Sequence, residues 1–151
     1  MKGIFIFLTL LGLAIAANAQ STNKAYDSVL AKKLKADDYG MKNYVLVLLK
    51  SGSNTSTDKT LRDSLFAGHM ENIGRLAEEG NLVIAGPFGK NDKYRGLFVL
   101  NTASFDEAKK MLETDPAIKN KFLEPELYPW YGSAALQETP GIHNKIQKLE
   151  F

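Results

Sequence analysis

His69 is the side chain with the clearest chemical potential in this chain, because it occupies a position where the hydrophobic pattern predicts an apolar residue. Leu65, Ile73 and Leu76 mark one stripe of a helix predicted over residues 61–79, and His69 falls in the middle of that stripe. An imidazole changes its charge near neutral pH and can donate or accept a proton. The pattern therefore predicts that the His69 imidazole, which can transfer a proton, faces the core or a cleft beside it.

Asp115 is the predicted partner of His69. A second helix is predicted to begin at Ser104 and to break at Asp115-Pro116. The end of this helix and the His69 helix lie on the same side of the sheet in the topology that the order of elements predicts. A carboxylate there would accept a hydrogen bond from one ring nitrogen and leave the other free as a general acid or base. Two structural interpretations compete with this one: a buried histidine can bond to a backbone carbonyl, and Asp115 can cap a turn that begins at Pro116.

Two candidates for substrate binding lie around a predicted hairpin. Phe88 follows Gly86-Pro87, a pair that permits a tight turn and could present the Phe88 ring to a pocket, or could simply end a strand. Arg95 could bind the carboxylate of a ligand, or it could be a solvated charge of the hairpin. The sequence alone leaves both alternatives open for each residue.

Glu126 and Trp130 are the remaining candidates for substrate binding. The strand predicted over residues 123–130 alternates its side chains between two faces. One face then carries Glu124, Glu126, Tyr128 and Trp130. Two carboxylates beside two aromatic rings suit a small-molecule pocket, and they equally suit a solvent-facing edge that ends in a dimer contact.

The composition excludes several other classes of site. The chain has no cysteine and two histidines, of which His143 lies in the tail. Neither a thiol nucleophile nor a zinc site with several imidazoles is therefore expected. The sequence contains no glycine-rich phosphate loop, and we expect no metal and no cofactor. The 19 basic and 17 acidic residues are spread along the chain, which argues against nucleic acid as a partner and against a membrane-binding patch.

Residues 1–19 have the pattern of a secretory signal peptide. Lys2 precedes an apolar run from Ile4 to Ala16, and Ala17-Asn18-Ala19 is a small-residue cleavage site. We expect cleavage after Ala19 and export of the mature chain to the periplasm or the medium, without stable membrane insertion; an uncleaved anchor is the alternative. An exported chain without disulfides must be stabilised by its own hydrophobic core.

The helices and strands predicted along the chain indicate an α+β fold. A helical leader over residues 20–41 precedes a domain over residues 42–132, and residues 133–151 form a C-terminal tail. The domain has the βαββαβ order of a ferredoxin-like fold, with an antiparallel sheet and both helices on one face. The other face of the sheet remains partly apolar unless another surface packs on it. A homodimer with two sheets face to face is the simplest such arrangement. The predicted strands span residues 42–50, 82–85, 94–101 and 123–130.

These segments, in this order, resemble the YCII-related (YciI-like) family over residues 42–132. The matching motifs are Gly68-His69-Met70-Glu71-Asn72-Ile73, Gly80 to Phe88, Arg95-Gly96, Glu107-Ala108, Asp115-Pro116 and Pro129-Trp130. The resemblance implies a dimeric α+β barrel of ferredoxin-like subunits, with an active site on a histidine and an aspartate that correspond to His69 and Asp115. It also implies lyase or dehydrochlorinase activity on small ring compounds. The signal peptide, the leader and the tail depart from the compact family pattern.

Three functions are compatible with the sequence. The first is an exported small-molecule enzyme of lyase, dehydrochlorinase or isomerase type, in which Asp115 orients His69 for proton transfer. The second is a binding module in which the same pair holds a small ligand without catalysis. The third is a dimeric interaction module of the periplasm in which His69 is only structural.

Overall fold

The structure is a computed structural model that describes residues 23–90 and 92–149. The predicted signal peptide, its cleavage site and the expected first residue Gln20 lie outside the described residues. The helices are α1 (Ser28–Lys33), α2 (Lys59–Glu78), α3 (Phe105–Leu112), α4 (Pro116–Lys119) and α5 (Thr139–Ile146), and the strands are β1 (Met41–Ser51), β2 (Leu82–Pro87), β3 (Tyr94–Leu100) and β4 (Leu123–Ser133). A 3₁₀ helix, Ala134–Glu138, joins β4 to α5.

The four strands form one antiparallel sheet in the order β2-β3-β1-β4. This arrangement confirms the predicted ferredoxin-like α+β fold. β1 is a central strand, as the continuous apolar run from Tyr44 to Leu49 in the sequence predicts. Its side chains Val45, Val47 and Leu49 are buried on one face, where they form the main core together with Leu76 of α2 and Leu112 of α3. Both of these helices therefore cover the same face of the sheet.

α2 begins two residues before the predicted start at Leu61. Its N-terminal cap is Asp58, whose carboxylate accepts a hydrogen bond from the Leu61 N–H at 3.1 Å. The residue types of Thr60-Leu61-Arg62-Asp63 also predict a helix cap, but this segment lies inside α2 instead. At the other end Gly80 adopts a φ of 73°, the left-handed conformation in which glycine ends helices.

Two local signals in the sequence predict α3: Ser104-Phe105-Asp106-Glu107 has the pattern of a capping box, and Ala108, Met111 and Leu112 form the face directed toward the core. The helix begins where the capping box predicts. Ser104 accepts a hydrogen bond from the Glu107 N–H at 3.3 Å. The Glu107 carboxylate, however, bonds to the Thr102 hydroxyl rather than reaching back to Ser104. Ala108 and Leu112 are buried in the main core, so the predicted core face of this helix is confirmed.

β1 is one residue longer than predicted at each end, and β2 and β4 continue two and three residues beyond their predicted ends because their backbone pairing continues. β2 runs through Gly86-Pro87, since Pro87 still pairs with Gly96 of β3. β4 runs to Ser133, which pairs with Met41 at the start of β1. β4 is an edge strand, where its prolines remove no hydrogen bond from a neighbouring strand on the open side.

The C-terminal segment covers part of the sheet face that has no helices from the βαββαβ core, called here the open face. Tyr44, Val83 and Val99 are buried on this face, and Leu136 of the 3₁₀ helix packs against them. Tyr128, on the same face, is 43% exposed. The tail therefore covers one part of the surface for which a homodimer was predicted and leaves another part uncovered.

Within the described residues 23–41 of the predicted helical leader, the helix is the short α1. Asp27 caps α1 by accepting hydrogen bonds from two backbone N–H groups. Val29 is 78% exposed, whereas Leu34, just after the helix, is buried. Across residues 23–90 and 92–149, no helix has the length and apolar character needed to cross a membrane.

Candidate active site

His69 and Asp115 come together where α2 approaches α4. A Cβ atom on Gly68 would lie 2.8 Å from Pro116 Cγ, so the glycine permits the two helices to come this close. His69 Nδ1 then lies 2.6 Å from Asp115 Oδ2. The structure thus brings the two predicted residues into direct contact.

Asp115 also caps α4. Its Oδ1 atom accepts hydrogen bonds from the backbone N–H groups of Ala117 at 2.9 Å and Ile118 at 3.2 Å. Pro116 occupies the first turn of the helix, as the capping interpretation predicted. Asp115 is fully buried. The two interpretations of this residue therefore apply together, because one oxygen stabilises α4 while the other bonds to His69.

The hydrogen-bond partners distinguish the two ring nitrogens of His69. Asp115 Oδ2 is an acceptor, so the neutral imidazole carries its proton on Nδ1. Nε2 has no hydrogen-bond partner within the described residues. In that same part of the chain, no buried side-chain nitrogen or oxygen lacks a partner, and the His69 side chain is 11% exposed. Nε2 is therefore a basic nitrogen that reaches solvent.

Two phenylalanine rings pack against the His69 imidazole from different directions. The Phe98 ring is stacked on His69 with a centroid distance of 5.8 Å, and the Phe66 ring meets it edge-on at 5.9 Å. Phe98 is buried in the main core, whereas Phe66 is 38% exposed. The imidazole therefore lies between the core and the surface, with its orientation restricted by packing as well as by Asp115.

Asn72 and Arg75 extend the site in a way that the sequence analysis missed. The buried Asn72 lies one turn after His69, and its Nδ2 atom is 3.5 Å from Asp115 Oδ2. Its Oδ1 atom accepts a hydrogen bond from Arg75 Nη2 at 2.7 Å, and Arg75 also donates to the Thr114 hydroxyl at 2.9 Å. Spacings of three residues place His69, Asn72 and Arg75 along neighbouring turns of one helix face. That spacing was the signal in the sequence from which Asn72 and Arg75 could have been assigned to the site.

Glu126 belongs to a polar cluster on the open face, on the other side of the sheet from His69. Its carboxylate accepts hydrogen bonds from Lys50 Nζ at 2.9 Å and from the hydroxyls of Tyr94 and Tyr128 at 3.3 and 3.2 Å. The hydrogen bond from Lys50 lowers the pKa of Glu126, and the same bond raises the pKa of Lys50. Glu126 is therefore separate from the histidine–aspartate pair within one chain.

Trp130 also lies on the open face. Its ring centroid is 5.8 Å from that of Tyr44, in the second apolar cluster of the molecule. A Cβ atom on Gly132 would lie 2.5 Å from the indole ring, which shows that the ring lies over this glycine. Trp130 thus packs along its own strand and does not reach the histidine–aspartate pair.

Phe88 and Arg95 lie where β2 ends and β3 begins. The Phe88 ring is 6.2 Å from the Tyr94 ring, and the Phe88 N–H donates to the Arg95 carbonyl. Arg95 is the unpaired residue of a bulge in β3, and its Nε atom donates to Ser51 Oγ at 2.6 Å. Within the described residues, neither side chain contacts the histidine–aspartate pair.

Two surface cavities, of about 360 and 370 Å³, also lie away from the pair. The first is lined by α1, the ends of α2 and β2, and the C-terminal segment; the second is lined by Gly52, Ile118 and the start of β4. Neither includes His69 or Asp115. The exposed edge of His69 therefore lies outside both of these cavities. In the described part of the chain, no group of three or more His, Cys, Asp or Glu residues could hold a metal ion.

The sequence profile of the YCII-related domain matches residues 44–130, which is more than half of the chain. The protein belongs to the YCII-related family, as the resemblance of its motifs predicted. No curated protein matches it. Among solved structures it is similar to the 5-chloro-2-hydroxyhydroquinone dehydrochlorinase of Burkholderia phenoliruptrix, in complex with 2,5-dihydroxybenzoquinone. The two chains are 20% identical, the match covers 57% of this chain and 92% of that one, and the TM-score is 0.41.

Proposed function

We propose that this protein is an enzyme that uses His69 for general acid–base catalysis on a small molecule, without a cofactor and with Asp115 as the orienting partner. The observation that carries the proposal is the 2.6 Å contact between His69 Nδ1 and Asp115 Oδ2, which leaves Nε2 as the exposed ring nitrogen. A positioned imidazole contributes about 10²- to 10⁴-fold to the rate of a proton transfer.

In the proposed reaction, Nε2 takes a proton from a substrate carbon beside an electron-withdrawing group. The electron pair of the broken C–H bond either forms a double bond while a leaving group departs, or takes up a proton at a second carbon. The first course is an elimination of lyase or dehydrochlorinase type, and the second is an isomerisation. His69 then returns its proton to the leaving group, to solvent or to the second carbon.

Asp115 stabilises the imidazolium that forms during this reaction. The Nδ1–H group donates to the Asp115 carboxylate throughout, and the carboxylate does not take the proton. Asp115 is fully buried, and charges interact more strongly away from water than in it. The N–H groups at the start of α4 hold the second carboxylate oxygen, so the aspartate keeps its position as the charge on His69 changes.

A deuterium-exchange assay tests the proposal with a pool of compounds rather than with one chosen substrate. The protein is incubated in D₂O with pooled small carbonyl and hydroxylated ring compounds, and deuterium uptake is followed by mass spectrometry. We expect exchange in at least one compound, with a rate that falls about 100-fold or more in His69→Gln. His143→Gln is the matched control, because His143 is the other histidine of the chain and lies on α5.

Two results would contradict the proposal. Exchange that persists unchanged in His69→Gln would show that another group transfers the proton. A compound that shifts the ring signals of His69 in NMR spectra, but undergoes neither exchange nor conversion, would favour the non-catalytic binding module.

We further propose that the protein acts as an exported homodimer. The signal-peptide pattern of residues 1–19 supports export. The uncovered part of the open face supports the dimer, since it combines the exposed Tyr128 with the adjacent opposite charges of Lys50 and Glu126. Because the patch carries a positive and a negative charge side by side, the same patch of a second copy, related by a two-fold axis, can place opposite charges against both of them.

A further inference from the structure

Asn72 is a buried polar residue of α2 that the acid–base reaction itself does not use. It is 6% exposed, and a buried amide has two N–H donors and a carbonyl oxygen that need partners. An apolar side chain at this position would need no hydrogen-bond partners. We therefore infer the role of Asn72 from the groups to which it is bonded.

Arg75 and Thr114 together orient the amide of Asn72, because the Thr114 hydroxyl lies 2.8 Å from Asn72 Oδ1 and Arg75 bonds to the same oxygen. A guanidinium only donates hydrogen bonds, and Arg75 Nη2 lies 2.7 Å from Asn72 Oδ1. The NH₂ group of Asn72 must therefore face Asp115. Arg75 is itself held by hydrogen bonds to Thr114 Oγ1 at 2.9 Å and to Glu79 Oε1 at 2.6 Å.

We propose that Asn72 is a positioning residue, which holds Asp115 Oδ2 in line with His69 Nδ1. Oδ1 of Asp115 accepts hydrogen bonds from two backbone N–H groups. Oδ2 is bonded to His69 Nδ1 and also lies within reach of Asn72 Nδ2. The second donor restrains rotation of the carboxylate about its Cβ–Cγ bond. At 3.5 Å this contact is long, as hydrogen bonds of an active site often are before a substrate binds. The catalytic meaning of this role rests on the proposed function.

The test is the tautomer of the neutral His69 ring in Asn72→Leu, measured from the ¹⁵N chemical shifts of the two ring nitrogens. Asn72→Leu keeps the approximate size of the side chain and removes its N–H groups. We expect the population with the proton on Nε2 to rise about fivefold relative to the native protein, the change that corresponds to the loss of one hydrogen bond. A role limited to packing would leave the tautomer unchanged.

Arg75→Ala provides a second variant with less risk to folding, because the Arg75 side chain is 45% exposed. It removes one of the two side-chain partners of Asn72 Oδ1 and leaves the Thr114 hydroxyl, so the same tautomer should increase by a smaller factor. Glu79→Gln is the matched control: it removes the outer ion pair of Arg75 and keeps the Arg75–Asn72 bond, so the tautomer should not change. Thermal unfolding of each variant establishes that the folded state is being compared.

The inference is overturned if the ¹⁵N shifts of His69 are the same in the native protein, Asn72→Leu and Arg75→Ala. Its failure can be distinguished from failure of the proposed function. Deuterium exchange that depends on His69, combined with an unchanged tautomer, would overturn only the role of Asn72. A shifted tautomer without any exchange or turnover would support the role of Asn72 and contradict the acid–base enzyme.

Discussion

At the scale of single residues, the two nitrogens of the His69 ring have different surroundings. Nδ1 is bonded to a buried carboxylate, while Nε2 reaches solvent. The backbone N–H groups of α4 hold the other oxygen of that carboxylate. The helix start thus fixes the aspartate, the aspartate determines the tautomer of the ring, and the tautomer leaves the lone pair of the neutral ring on the exposed nitrogen.

Asp115→Asn should reverse the tautomer of His69. The amide oxygen can still cap α4, so the NH₂ group faces His69 Nδ1 and this nitrogen has to become an acceptor. The proton then moves to Nε2, which loses its basic lone pair. We expect deuterium exchange to fall by about 10⁴-fold, the loss seen in a catalytic triad whose histidine is held in the wrong tautomer. Ring ¹⁵N shifts and the exchange assay measure the two effects.

Asp106→Asn serves as the control for this change of charge, because Asp106 lies in the first turn of α3 and is exposed. It should alter neither the ring shifts nor the exchange rate. If Asp115→Asn retains the proton on Nδ1 and the native rate, the carboxylate does not orient His69.

At the scale of elements, the site depends on how closely α2 approaches α4. Gly68→Ala should disturb this approach, because its Cβ atom would lie 2.8 Å from Pro116 Cγ. We expect the free energy of unfolding to fall by about 1–3 kcal/mol, together with a smaller Nδ1-protonated population of His69 as Asp115 moves away. Urea denaturation measures the first effect and ring ¹⁵N shifts the second.

Gly74→Ala is the matched control on the same helix. A Cβ atom there has nothing within 4 Å, so the substitution should stabilise the protein by about 0.5–1 kcal/mol through the higher helix propensity of alanine. Equal stabilisation by both substitutions would show that the contact of Gly68 with Pro116 does not limit the approach of the helices.

Local sequence signals were enough to predict the order of the six core elements, β1-α2-β2-β3-α3-β4, although they did not predict α4, the 3₁₀ helix or α5. The apolar run of β1 and the Ser104 cap of α3 are examples. The element ends were less predictable because partners distant in sequence determine them. β4 continues to Ser133 only because Met41 pairs with it. Similarly, the packing of Leu136 on the open face follows from tertiary contacts that its weak local pattern does not indicate.

The candidate site was predictable where a residue departs from its local pattern. His69 interrupts an apolar stripe, and Asp115 precedes a proline, so both stood out. Asn72 did not, because an asparagine on a helix is usually solvent-exposed and its burial depends on α4. Glu126 and Trp130 were placed correctly on a shared face, but sequence alone could not show that this face is turned away from His69.

At the scale of the whole molecule, the C-terminal segment leaves only part of the open face available to a second copy. Tyr128→Glu should prevent dimer formation, because it adds a negative charge beside Glu126 on the uncovered part of this face. We expect the native protein to have the mass of a dimer in light scattering coupled to gel filtration, and Tyr128→Glu that of a monomer. Tyr39→Glu is the control, since Tyr39 is 77% exposed and precedes β1. A native monomer would contradict the proposed dimer.

The export that we proposed from the pattern of residues 1–19 can be tested with the full sequence. When the full sequence is expressed in a Gram-negative host, we expect periplasmic protein whose intact mass corresponds to a chain beginning at Gln20. Ala19→Asp should block this processing, because the residue before the cleaved bond must be small, and the precursor should remain with the membrane fraction. Ala25→Asp, beyond the cleavage site, should be processed normally. A full-length native chain in the cytoplasm would contradict export.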